Sequence, residues 1–159
     1  MNVTILPGTL KGAVTPPSSK SQTHRAVLAL MLAQGEGKLS NLAVSEDIQA
    51  TQDCVAALKS GQPAQADGLP LLDCGESGST LRFLIPIASL TGQKVTFVGR
   101  GRLMERPQTV YEKLYQEQSL RFEQSSAGLT VEGTLKSSEY ELAGDVSSPF
   151  IREMLFALP

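Results

Sequence analysis

Hydrophobic and polar positions fall into alternating blocks along this chain, and the length of each block selects an element. Residues 26–33, Ala-Val-Leu-Ala-Leu-Met-Leu-Ala, are apolar without exception. Read as a helix, that run has no polar face, and such a helix is expected to be buried on every side. Residues 81–90 and 149–158 carry two more largely apolar runs of helical length. A different pattern follows Ser45-Glu46-Asp47, which reads as a helix cap. There Ile48, Thr51, Val55 and Leu58 recur at helical spacing along one stripe. Val110, Tyr111 and Leu114 form a similar stripe in a helix opened by Pro107. Short runs bounded by glycine, proline or serine predict strands at 2–6, 9–14, 38–42, 69–72, 94–98, 120–122, 129–131 and 139–142.

Each apolar run is entered through polar, hydroxyl-rich residues. Pro17-Ser18-Ser19-Lys20-Ser21-Gln22-Thr23-His24-Arg25 leads into the first, Asp73-Cys74-Gly75-Glu76-Ser77-Gly78-Ser79-Thr80 into the second, and Gly144-Asp145-Val146-Ser147-Ser148 into the third. Ser21 and Ser77 stand 56 positions apart, as do Lys38 and Lys94, an equality that indicates an internal repeat. Each unit reads as an apolar helix, a strand, an amphipathic helix and further strands, so the expected body is layered α/β with buried helices covered by sheet. The third unit stops after its helix, and the chain reads as cut short.

The helix entries carry the candidate chemistry. A helix start leaves backbone N–H groups unpaired and bears partial positive charge, which favours an anion. Lys20 and Arg25 add full charges at the first entry. The plainer reading is that the serines only cap helices. The 159 residues suit one domain by size, and 41% hydrophobic content supports a core. A net charge of −2 argues against nucleic-acid binding, but Lys20, Arg25, Arg82, Arg100, Arg102 and Arg106 cluster in these loops and suit a small anionic substrate. Of these, Arg82 and Arg100 read as solvated surface charge, Lys20 and Arg102 less so. His24 is the sole histidine and reads as a helix-entry hydrogen bond or an exposed polar residue. Cys54 and Cys74 lack metal-ligand spacing, and Cys54 fits a buried helical stripe, so no metal or cofactor is expected. With no signal-peptide pattern and apolar runs too short for a bilayer, a cytoplasmic protein is expected.

Gly75–Thr80 lacks the Gly-Lys-Ser/Thr ending of a P-loop, and Gly99-Arg100-Gly101-Arg102 lacks the third glycine of a dinucleotide fingerprint. Four segments instead resemble the 5-enolpyruvylshikimate-3-phosphate synthases: residues 17–26, Glu76-Ser77-Gly78-Ser79-Thr80-Leu81-Arg82, Arg102-Leu103-Met104-Glu105-Arg106-Pro107, and residues 144–148. They stand in the family's order and match its N-terminal part only.

The resemblance implies two globules of repeated βαβαββ units hinged around a cleft. Residues 1–15 would belong to the missing second globule, and residues 16–159 would form two units and the start of a third. It also implies enolpyruvyl transfer from phosphoenolpyruvate to the 5-hydroxyl of shikimate 3-phosphate, with phosphate released. By resemblance Lys20 contacts both substrates and handles charge and protons, and Ser21, Arg25, Ser147 and Ser148 hold shikimate 3-phosphate. Gly78 lets phosphoenolpyruvate approach the backbone, and Arg102 pairs with its charge. Two departures stand out: Pro149 where the family has Gln, and Arg152-Glu153 in place of small or hydroxyl residues. The UDP-N-acetylglucosamine enolpyruvyl transferases share the fold, but their Lys-Asn pair and loop cysteine have no counterpart here. A non-catalytic anion-binding module is the alternative from another class.

Overall fold

The computed structural model describes residues 3–4, 6–9, 11–33, 36–60, 70–140 and 148–158, the side chains of Ser148 and Pro149 excepted. Two helices come first, α1 (Lys20–Leu32) and α2 (Glu46–Ser60). A complete βαβαββ unit follows: β1 (Leu71–Asp73), α3 (Gly78–Ala88), β2 (Val95–Val98), α4 (Thr109–Glu117), β3 (Arg121–Ser125) and β4 (Gly128–Glu132). Helix α5 (Ser148–Ala157) closes the order.

The four strands form one sheet in the order β1-β2-β4-β3. Helix α3 makes the crossover between parallel β1 and β2, Leu72 facing Phe97 in register, while β4 runs antiparallel to both β2 and β3. The β3–β4 hairpin turns between Ser125 and Gly128, which are Cα partners. Glycine is needed at 128 because a Cβ there would come within 2.7 Å of the Phe97 carbonyl oxygen on β2.

Helix α3 is the central element. Leu81, Leu84, Ile85 and Ile87 are buried in one core with Phe97 and Val95 of β2 and Leu129 and Val131 of β4. Each such side chain contributes about 1.5–3 kcal/mol on burial. Pro86 inside α3 has no N–H to give the Arg82 carbonyl, and the Tyr111 hydroxyl of α4 donates to it instead at 3.0 Å. One turn on, the Tyr115 hydroxyl donates to the Ile85 carbonyl at 3.0 Å. Two tyrosines on one face of α4 thus serve α3 carbonyls beside its proline. Helix α5 lies along α3 through the edge-to-face pair Phe83–Phe156, and Phe150 meets Tyr111 in the same way.

Several expectations change here. Only α3 is enclosed as a helix without a polar face should be; in α1, Ala29 is exposed and Leu30, Met31 and Leu32 are half-buried. Helix α1 packs on α2, and no sheet among the described residues covers its outer side. The strand expected at 38–42 is absent, because a strand is a hydrogen-bonded ladder and this segment has no partner strand among the described residues. The described residues of 2–6 and 9–14 likewise carry no strand and are exposed. Glu139 and Tyr140 form no strand, and Glu141 and Leu142 lie outside the described residues, as does Leu69.

The repeat is also offset differently. The side chains of Ser19 and Ser77 accept from the amides of Gln22 and Thr80, so these two are the equivalent caps. The offset is two positions longer than the one read from Ser21 and Ser77.

Candidate anion site at the helix entries

The capping and binding readings of the paired serines apply to different members of each pair. Ser19 and Ser77 cap. Ser21 and Ser79, two residues later, line a cavity of about 60 Å³ shared by α1, α3 and α5. His24, Arg25, Arg82, Phe83, Arg152 and Glu153 complete its wall. Three helices therefore bring hydroxyls and three guanidinium-bearing residues to one place. The Arg25 Nε is buried and has no hydrogen-bond partner.

Arg82 has left the solvated surface expected of it. Its Nε lies 3.4 Å from Oε1 of Glu153, whose residue is 2% exposed. The Glu153 Oε2 lies 3.0 Å from the Tyr111 hydroxyl. The phenol has one proton and two acceptors in reach, the Arg82 carbonyl and Glu153. A protonated Glu153 would satisfy all three groups, giving its proton to the phenol oxygen while Tyr111 donates to the carbonyl. Burial, outweighing Arg82, Tyr111 and Arg152, pushes the Glu153 carboxyl above its ordinary range. Burial and the neighbouring Glu153 likewise push the Tyr111 hydroxyl up, so it stays a donor.

His24 is buried, not exposed. Its Nδ1 lies 2.8 Å from Thr51 Oγ1 on α2, which lies 2.7 Å from Thr80 Oγ1 on α3, itself 2.7 Å from Ser77 Oγ. Thr51 and Thr80 both also reach the Asp47 carbonyl, at 3.0 and 3.2 Å. With the Thr51 proton given to Asp47, His24 donates from Nδ1 and leaves Nε2 as the bare nitrogen, buried without a partner. Burial, with the charge of Lys20 behind it, lowers the His24 pKa, and Asp47 opposes that in part. This buried chain joins α1, α2 and α3 and sets the relative height of their entries.

The remaining expected residues are spread around these entries. Lys20 pairs with Asp47 of α2 and is half exposed. Gly78 is the first residue of α3, and the nearest atoms to a Cβ placed there are Arg106 Nη1 at 3.3 Å and Arg82 Nη1 and Nη2 at 3.4 and 3.6 Å. Arg102 is 86% exposed and pairs with Glu105 at 3.1 Å. Ser147 lies outside the described residues, and Ser148 starts α5 with its side chain undescribed. Sequence reasoning sets Arg82 aside, counts Arg106 only among the loop cations, places Thr51 and Tyr111 on helix stripes, and notes Glu153 only as a departure from the family. The signal for Arg82 is its spacing: four residues after Gly78, its side chain leans back over the helix start.

A larger cleft of about 240 Å³ beside Arg100 is lined by Glu46, Asp47, Asp53, Asp73 and Glu76. Five carboxylates against one arginine repel an anion, so it is a poor phosphate site. Among the described residues no His, Cys, Asp or Glu cluster suits a metal ion, and no helix is long and apolar enough to cross a membrane.

One βαβαββ unit, with arginines gathered where α1, α3 and α5 meet, defines a mixed α/β protein. The family model for EPSP synthase (3-phosphoshikimate 1-carboxyvinyltransferase) matches residues 6–159, and the chain belongs to that family. Relatives described as 3-phosphoshikimate 1-carboxyvinyltransferase from Clostridium perfringens (strain SM101 / Type A) and Clostridium kluyveri are each 40% identical to it over 99% of this chain. The chain spans 41% and 40% of their respective lengths. A solved EPSP synthase structure from Acinetobacter baumannii shares the fold with a TM-score of 0.73 at 22% identity, covering 96% of this chain and 39% of that one.

Proposed function

We propose that this chain is the N-terminal, substrate-binding portion of an enzyme that transfers the enolpyruvyl group of phosphoenolpyruvate to the 5-hydroxyl of shikimate 3-phosphate. The observation that carries the reading is the cavity in which Ser21, Arg25, Ser79, Arg82 and Arg152 meet at three helix entries. Shikimate 3-phosphate is held there by Ser21 and Arg25, with Ser147 and Ser148 from the α5 entry. Phosphoenolpyruvate lies at Gly78, where the missing side chain leaves the backbone open. Arg106, whose Nη1 is nearest that position, takes the pairing role that the resemblance gives Arg102. Lys20, freed from Asp47 by its anionic ligands, spans both substrates.

The rest of the site comes from a second globule, the partner of this one, to which residues 1–15 belong. Addition followed by phosphate loss needs both an acid and a base, and Lys20 alone supplies one amine, so the chain by itself binds without turnover. No cofactor enters this reading, nor does nucleic acid or a membrane, and it includes a cytoplasmic location. Titration calorimetry with shikimate 3-phosphate is the test. Weak, salt-sensitive binding that Lys20→Ala and Arg25→Ala each reduce is expected. Variants that bind like the parent would overturn the assignment, and no binding by the parent would favour the non-catalytic anion-binding module.

A further inference from the structure

Glu153 is the one buried carboxylate among the described residues, and the functional reading gives it no task. It lines the cavity as part of α5, yet α5 is already tied to α3 and α4 by the Phe83–Phe156 and Tyr111–Phe150 ring pairs. A structural tie needs no buried acid, which costs desolvation energy that apolar residues avoid.

Its contacts instead act on the direction of Arg82. Nε is the guanidinium donor nearest the main chain, and a partner on Nε fixes the plane of the fork while leaving Nη1 and Nη2 unused. Glu153 Oε1 is that partner at 3.4 Å, and Tyr111 holds the other oxygen at 3.0 Å. The two Nη atoms then lie 3.4 and 3.6 Å from the point a Gly78 Cβ would occupy, with Arg106 Nη1 at 3.3 Å. The amides of Gly78 and Ser79, at the start of α3, have no intrahelical partner.

We propose that Glu153 is a positioning residue for the phosphate ester that binds at Gly78. Through Arg82 Nε, with Tyr111 behind it, Glu153 aims the Arg82 fork at the start of α3. There the fork and the Arg106 guanidinium receive phosphate oxygens beside the Gly78 and Ser79 amides. The identity of the phosphate ester rests on the functional reading above; the cradle itself is tested with inorganic phosphate.

The test uses the ¹⁵N-labelled 159-residue chain titrated with inorganic phosphate, read at the Gly78 and Ser79 amides and at the Arg82 Nε–H signal. Glu153→Gln keeps an acceptor for Nε and a partner for Tyr111, so it retains the Nε–H signal and binds phosphate within about two-fold of the parent. Glu153→Ala loses the signal and binds roughly ten-fold more weakly, the scale of one hydrogen bond to a charged group. Should the alanine variant fail to fold, Glu153→Met fills the same space without an acceptor and is expected to show the same loss. Binding by the alanine or methionine variant equal to the parent's overturns the proposal, as does Glu153→Gln binding as weakly as they do. A parent that shows no response at Gly78 overturns the cradle. Failure of shikimate 3-phosphate alone to bind would sink the functional reading without touching this result.

Discussion

Thr51→Val removes one hydroxyl from the middle of the buried chain that joins α1, α2 and α3. Thr51 is 0% exposed, so water cannot replace what is lost. Its hydroxyl is the partner of His24 Nδ1 at 2.8 Å, and the other His24 nitrogen already has none, so the variant leaves a buried imidazole with no partner at all. One newly orphaned buried group costs about 1–3 kcal/mol. The lost bond to Thr80 weighs less, because Thr80 keeps Ser77 Oγ and the Asp47 carbonyl. The added methyl returns under about 1 kcal/mol. The net loss is on the order of 2 kcal/mol, a sizeable share of the ~5–15 kcal/mol typical of a domain. For a chain of this size that lowers the melting midpoint by roughly 4–8 °C. Thermal melts followed by circular dichroism, with urea unfolding for the free energy, measure it. Thr51→Ser keeps the hydroxyl, and should lose less than the valine variant. A valine variant within about 0.5 kcal/mol of the parent would refute the claim that this chain sets the helix entries.

Gly78→Ala leaves α3 as stable or slightly more so, by up to ~1 kcal/mol of helix propensity. It still weakens phosphoenolpyruvate binding about ten-fold, the effect of ~1.4 kcal/mol, because the new Cβ crowds the Arg106 and Arg82 guanidiniums; calorimetry checks both the loss and the unchanged binding of shikimate 3-phosphate. The lowered His24 pKa means that the unfolded chain binds a proton more readily than the folded one. Stability is therefore full above the unfolded value of 6.5 and falls as pH drops through and below it. Urea midpoints across that window should show the fall, and His24→Gln should flatten it. The raised Glu153 carboxyl has the opposite sign, its contribution present below 4.5 and lost as pH rises through the folded value. Glu153→Gln should therefore melt higher than the parent at neutral pH and lose that advantage in acid. The isolated chain should release no phosphate from the substrate pair above a Lys20→Ala control. A separately supplied second globule should restore some activity, and Pro149→Gln should improve it.

Helices are legible in the sequence because their signals are local. The apolar run of α3, the stripes of α2 and α4 and the Ser-x-Ser entries each sit within a few turns of chain. The order of apolar helix, strand, amphipathic helix and further strands can be read for the same reason, whereas the βαβαββ grouping is implied only by the family resemblance. Residues 38–42 hold the position in the first unit that 94–98 hold in the second, yet form no strand, because pairing depends on a neighbour that no local pattern supplies.

The site divides in the same way. Ser21 and Arg25 stand out through position at a helix start and Gly78 only through the family resemblance, and the fold brings Ser21 and Arg25 to one cavity. Charge on Arg82, Arg102 and Arg106 is equal in sequence, and only tertiary contacts separate a half-buried arginine held by Glu153 from one left 86% exposed. His24 and Thr51, or Tyr111 and Glu153, are distant in the chain and meet through helix packing alone. Periodicity and capping are properties of neighbouring residues, so sequence determined them. Desolvation and hydrogen-bond partnership depend on what surrounds a group in space, so the tertiary structure decided which charged groups are shielded from water and where they point.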